Sequence, residues 1–258
     1  MSTFAHAVRD SRTMLRRNLL HALRYPSMTL SVVGMPVIML LLFVHVLGGV
    51  LGAGMAGHGD YTDYVAPGII LMTATSGSVA VSVSVCSDMT EGIINRFRTM
   101  PVSRASVLTG HVLGGTVQTA VSVAVVVVVA LLVGFRPVAG PLAWLAAFGL
   151  LALVAFALSW ISAAAGLMTK SVETASNVVL PVTFLPFLGS AFVPTDSMPT
   201  AVRWFAELQP FTPINETLRA LLMGTPVGAD GVLALAWCAA LALGGYLWAR
   251  AVFNRRTA

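Results

Sequence analysis

The stretch Val107–Val133, VLTGHVLGGTVQTAVSVAVVVVVALLV, contains no Asp, Glu, Lys or Arg. About 17–25 predominantly apolar residues cross the hydrocarbon core of a bilayer as a helix, and a helix is required because no water is there to pair with peptide groups. Comparable runs lie on both sides, at about Met28–Val50, Pro67–Val85, Leu142–Met168, Val178–Val193 and Val232–Ala249. The fifth is short and interrupted by Pro181 and Pro186. The whole chain is 57% hydrophobic and 10% charged, with a mean hydropathy of +0.87. Soluble domains carry roughly 25% charged residues, so a soluble domain is excluded. The expected fold is an all-α integral membrane protein with six transmembrane helices over residues 28–252, after an N-terminal segment 1–27 and before a tail 253–258.

Charge sets the expected orientation. Twelve of the fifteen Lys and Arg residues fall in the segments 1–27, 86–106, 169–177 and 250–258, leaving only Arg136, Arg203 and Arg219 on the other side. The positive-inside bias then puts both termini in the cytoplasm, which an even number of spans allows. The net charge of +5 reflects this topology and contact with anionic lipid, and nucleic acid is not an expected partner. Arg16–Arg17 has the form of a twin-arginine export signal, but the run after it is too long and five more spans follow, so an uncleaved first span is expected. Fourteen arginines against one lysine suggest a GC-rich bacterial genome, and the expected location is a bacterial cytoplasmic membrane.

Outside the spans, residues 2–24 read as an interfacial amphipathic helix. Phe4, Val8, Leu15 and Leu19 share a face within about 60°, opposite Arg9, Arg16, Arg17 and Arg24. This helix suits a lipid anchor, a contact with a cytoplasmic partner, or both. Between spans five and six, two short helices are expected, one starting at Pro199 and one from Thr212 as N-cap to a stop at Gly224. Each is too short to cross, so both should lie in the interface or dip in and return. Asn215-Glu216-Thr217 forms a glycosylation sequon, discounted for a bacterial chain.

Catalytic signatures are missing. Gly166-Leu-Met-Thr-Lys170-Ser171 is the nearest approach to a phosphate-binding loop, but Ala164 and Thr169 stand where glycines are required. No Cys or His cluster has ligand spacing, and His45 and His111 stand singly in or beside apolar helices as packed or hydrogen-bonded residues. None of the ten acidic residues falls inside an expected span, which argues against a proton-driven carrier. The chain is therefore expected to be no enzyme, to bind no metal or cofactor, and to draw energy from outside itself. The polar residues Thr75, Ser78 and Ser82 on one face of span two, with Gln118 and Asn177, serve either helix packing or a substrate path.

Just before span three lies a compact charged segment, Glu91–Gly110, EGIINRFRTMPVSRASVLTG. Asp88 and Glu91 have the spacing of a capping box, which predicts a short helix from about Asp88 to Arg98. Pro101 ends it, since the residue before a proline avoids the helical region, and Ser103 can cap the next span. Capping leaves Ile93, Ile94, Phe97 and Met100 unexplained on a helix outside the membrane. Apolar side chains among arginines suit insertion into a partner's groove.

At these residues the chain resembles the membrane subunits of type-2 ATP-binding-cassette (ABC) exporters, especially the daunorubicin-resistance-type permeases of actinobacteria. The likeness runs through Glu91-Gly92, Arg96-Phe97-Arg98 and Met100–Arg104, then through Ser190–Pro199, Phe205-Ala206, Gln209-Pro210 and Leu218–Leu222. It implies a half-transporter that exports a hydrophobic or amphipathic compound, most simply a drug or antibiotic, by alternating access. The implied partners are two cytoplasmic ATPase subunits carrying Mg-ATP, a second copy or paralogue of the permease, and membrane lipid. It further implies that the segment after span two is a coupling helix, with Glu91, Arg96, Arg98 and Arg104 making charged contacts and Phe97 and Met100 packing into the ATPase. The alternatives are a lipid or glycan exporter of the same family, a stand-alone carrier or channel, and a membrane anchor for an ATPase without translocation.

Overall fold

The computed structural model of the chain describes residues 26–54, 60–90 and 104–257. The expected amphipathic helix of residues 2–24, and Glu91, Arg96, Phe97, Arg98, Met100, Pro101 and Ser103, lie outside the described residues. Within them the chain is helical, with no strand. Helix α1 spans Pro26–Leu41 and continues through a π-helical turn, Leu42–Val46, into the short α2, Gly48–Gly54. Three long helices follow: α3 (Tyr61–Thr90), α4 (Arg104–Val133) and α5 (Pro141–Met168). Next come α6 (Val172–Phe184) with a 3-10 turn Leu185–Leu188, then α7 (Thr200–Leu208), α8 (Phe211–Met223) and α9 (Asp230–Thr257).

Among the described residues, α3, α4, α5 and α9 are long and apolar enough to cross a membrane, and Val33–Val46 and Val172–Leu188 are shorter apolar helices. The helix of the expected third span begins at Arg104, with its candidate span running from Leu108 to Val133, close to the expected Val107–Val133. Span two is longer than expected at both ends, taking in Asp63 and Asp88. The helix at the expected fifth span differs most from the expected limits. It starts six residues early, because Ser171 caps it by accepting from the Thr174 amide at 3.2 Å, and it stops at Gly189, whose backbone is extended. At about 1.5 Å per residue, with a tighter 3-10 end, Val172–Leu188 reaches about 27 Å. Helix α9 runs on through most of the expected tail, to Thr257.

The bundle is built around α3. Its most apolar window is 72% buried, against 22% for α9 and 33% for α4, and it packs on α1, α4, α5, α6 and α8. Small residues permit this. At Gly166 on α5 an added Cβ would fall onto the Ser82 carbonyl of α3, so the backbones approach as only glycine allows. On the opposite face of the bundle, α4 exposes Val117, Val121, Val125, Val128 and Leu132, a helical stripe that belongs against lipid. Two apolar clusters form the core. One gathers Val65, Ile69, Phe135, Phe211, Ile214 and Leu218 towards the Tyr61 end of α3. The other gathers Val85, Leu108, Val112, Trp160, Leu167 and Phe253 towards its Thr90 end.

The two short helices differ in depth. Helix α7 buries Ala206 and leaves Trp204 and Phe205 exposed. Helix α8 instead buries Phe211, Ile214, Leu218 and Leu222 against α3, α5 and α9. Its N-cap position is Pro210, not Thr212, because the Thr212 hydroxyl is taken up by the Ala206 carbonyl. Its stop is Gly224 as expected, in the left-handed region at φ 70° where glycine carries no Cβ penalty.

Candidate functional site

The Thr90 end holds the roots of the charged segment. Helix α3 enters it at Thr90 and α4 leaves it at Arg104. Asp88 was expected to cap a separate short helix; that is corrected. It lies inside α3, whereas an N-cap stands outside helical geometry, and its carboxylate is turned to α4. There His111 Nε2 sits 3.0 Å from Asp88 Oδ2, and His111 Nδ1 sits 3.2 Å from Ser84 Oγ. His111 is 4% exposed and Asp88 8%. The three residues have the connectivity of a nucleophile, base and carboxylate, but the imidazole is sealed in the helix packing and its two nitrogens are both occupied. A carboxylate so buried is costly unless paired, and His111 supplies the pairing. The arrangement is a tether between the two helix roots, seven residues from the start of α4.

The neighbouring α5–α6 turn is tied to the same end. The Thr169 hydroxyl donates to the Gly166 carbonyl at 3.0 Å, and the Ser82 hydroxyl donates from α3 to the Ala175 carbonyl at 2.9 Å. Helices α3, α4, α5 and α6 thus meet in one hydrogen-bonded and close-packed region at the Thr90 end of α3.

Of the candidate path residues, Thr75, Ser78 and Ser82 lie along α3, Gln118 on α4 and Asn177 on α6. Thr75 and Ser78 are buried and donate to carbonyls one turn back in α3, those of Met72 and Thr75. Ser82 is buried too, bonded across to α6. Gln118 is half-buried on α4, and Asn177 is exposed on α6.

A second polar centre forms at the Tyr61 end. The Arg219 guanidinium stacks over the Tyr64 ring, 3.8 Å from its centroid. It donates to the Ser190 carbonyl at 2.8 Å and the Tyr64 carbonyl at 3.3 Å, and pairs with Glu216. The Ser190 carbonyl also accepts from the Tyr64 hydroxyl at 3.0 Å and from Asn215 Nδ2 at 3.2 Å. This knot joins α3, the segment after α6, and α8. With Asn215 only 1% exposed, the sequon has no accessible acceptor. The sequence places Arg219 among three charges on the sparse side and within the Leu218–Leu222 likeness; the Glu216–Arg219 pair at i, i+3 was the available signal for its role. On exposed α7, Arg203 bonds Glu207 and Asp196. The hydrogen bond and charge of Glu207, then the charge of Asp196, hold its guanidinium above the ordinary value.

Among the described residues no three His, Cys, Asp or Glu side chains are grouped to hold a metal, and Cys86 and Cys238 are buried free thiols. The molecule is thus an apolar helical bundle with two tied helix roots at one end and short helices packed at the other. The family model described as ABC-2 type transporter matches residues 9–223. The chain belongs to the ABC-2 type transporter family. Two relatives of this ABC-2 chain carry permease names. The daunorubicin resistance ABC transporter permease protein DrrB1 of Streptomyces coeruleorubidus is 29% identical over 222 residues, covering 86% of this chain and 77% of the relative. The probable doxorubicin resistance ABC transporter permease protein DrrC of Mycobacterium tuberculosis is 26% identical over 233 residues, covering 90% and 84%. More remotely, ABC transporter G family member 20 of Dictyostelium discoideum is 25% identical over 173 residues, covering 64% of this chain and 23% of that protein.

Proposed function

We propose that this ABC-2 chain is the membrane permease subunit of an ABC exporter that expels a hydrophobic or amphipathic drug. The observation that carries the reading is the family match over residues 9–223, and the drug-resistance names of both permease relatives supply the substrate class. Val33–Val46 and Val172–Leu188 join the four long helices as spans, giving six, with both termini in the cytoplasm of a bacterial cell. The Thr90 end then faces the cytoplasm, and α7 and α8 lie at the outer side, α8 dipping into the bundle. ATP is hydrolysed, with Mg2+, on two separate ATPase subunits, and a second permease completes the complex.

Residues 91–103 act as the coupling element on this reading. Glu91, Arg96, Arg98 and Arg104 make the charged contacts with the ATPase, and Phe97 and Met100 pack into it. The Asp88–His111 bond supports the assignment, because a lever needs its two roots to move together. The experiment is co-purification of the ATPase together with drug-stimulated ATP hydrolysis. Glu91→Ala and Arg98→Ala should each reduce ATPase retention and drug stimulation by about five- to thirtyfold, the loss of one to two contacts each worth ~1 kcal/mol. Unchanged retention and stimulation in both would refute the coupling role. Drug efflux from liposomes lacking the ATPase would refute the exporter reading itself.

A further inference from the structure

We propose that the cleft between α4, α5 and α9 at the Thr90 end binds an anionic phospholipid, with its phosphate at Arg250 and the start of its chain on an aromatic wall. The cleft has a volume of about 340 Å3, within the range of small-ligand pockets. Its chemistry changes along its length. Tyr246, Arg250 and Asn254 occupy successive i+4 positions of α9 and so share one face, about 6 Å apart at each step. Trp160 of α5, 7% exposed, forms the deep wall and meets the Tyr246 ring edge-on at 5.1 Å and 87°. Phe253, 6% exposed, closes the floor with Leu108. Thr109 of α4 also lines the cleft.

Arg250 is exposed and makes no ion pair among the described residues. A guanidinium whose fork matches phosphate oxygens, set at the end of an aromatic trough, selects a head that is negative and a tail that is apolar. A cationic amphiphile is repelled from the same place. The mouth indicates the source. Beside it, α9 exposes Leu243 and Leu247, an apolar surface suited to acyl chains, so the ligand arrives from the bilayer. The inference uses the proposed orientation only to choose the leaflet, which is the cytoplasmic one. Leu108 and Thr109 stand about one turn into α4, so an occupied cleft bears directly on the root of residues 91–103.

The test uses the full chain with its ATPase partner in nanodiscs of phosphatidylcholine, with and without phosphatidylglycerol. Retained lipid is read by native mass spectrometry. The wild type should retain phosphatidylglycerol over phosphatidylcholine by about fivefold, the size expected for one basic residue at an anionic surface. Arg250→Gln should abolish this preference, Tyr246→Ala should lower total retained lipid, and Arg255→Gln should leave both unchanged. A preference that survives Arg250→Gln, or that Arg255→Gln removes equally, overturns the site in favour of general surface attraction. Displacement by inorganic phosphate at matched concentration overturns the lipid as ligand. Absence of drug efflux in a protein that still retains phosphatidylglycerol counts against the export reading alone.

Discussion

His111 looked in the sequence like a lone packed residue, and Asp88 like a helix cap. Together they are a buried pair, 3.0 Å apart on adjacent helices. Their consequence at the residue scale is asymmetric. His111→Ala removes one of the groups bonded to a buried carboxylate and should cost about 2 kcal/mol, whereas Asp88→Asn keeps a hydrogen-bonding group in place and should cost about 1 kcal/mol. Thermal unfolding of the detergent-solubilised protein checks the order, and equal losses would contradict the tether. Arg219 yields a second residue-scale prediction. A lysine keeps the charge but loses the planar fork that reaches two carbonyls and the stacking on Tyr64. Arg219→Lys should therefore destabilise by about 2 kcal/mol, measured in the same way, while Arg203→Lys on exposed α7 should change little.

At the scale of elements, helix existence was legible and helix limits depended on chemistry. The end of α4 at Val133 and the extent of α5 follow from apolar runs bounded by Gly134 and by Gly140–Pro141. The start of α6 was missed because Ser171 was read within a short loop, although a serine three residues before Thr174 can accept its amide. The depth of α8 was also out of reach, since a thirteen-residue helix with Asn215, Glu216 and Arg219 looks interfacial until the Ser190 and Tyr64 carbonyls accept from Asn215 and Arg219 and Arg219 pairs with Glu216. Close helix approach gives the prediction at this scale. Gly166→Leu drives a side chain into the Ser82 carbonyl of α3 and should destabilise by about 1–3 kcal/mol. Gly149→Leu, where nothing lies within 4 Å of an added Cβ, should be nearly neutral. Paired melting curves distinguish the two.

For the whole molecule, the test is topology. In a background lacking the two buried cysteines, Asp60→Cys should react with a membrane-impermeant maleimide added outside intact cells. Lys170→Cys should react only after the membrane is opened. Both positions are exposed, so accessibility reports the side of the membrane. Labelling of Lys170→Cys from outside would contradict the orientation.

The sequence by itself determined the class of the molecule and the family to which it belongs. Apolar runs without charge can satisfy their peptide groups only as helices in lipid, and that requirement needs no knowledge of what packs where. Only the tertiary structure decided how the polar residues are used. Asp88 and His111 are twenty-three residues apart, Tyr64 and Arg219 one hundred and fifty-five. Whether such groups cap, pair, stack or face a ligand depends on which helix faces meet, and close contacts across small residues such as Gly166 set that meeting.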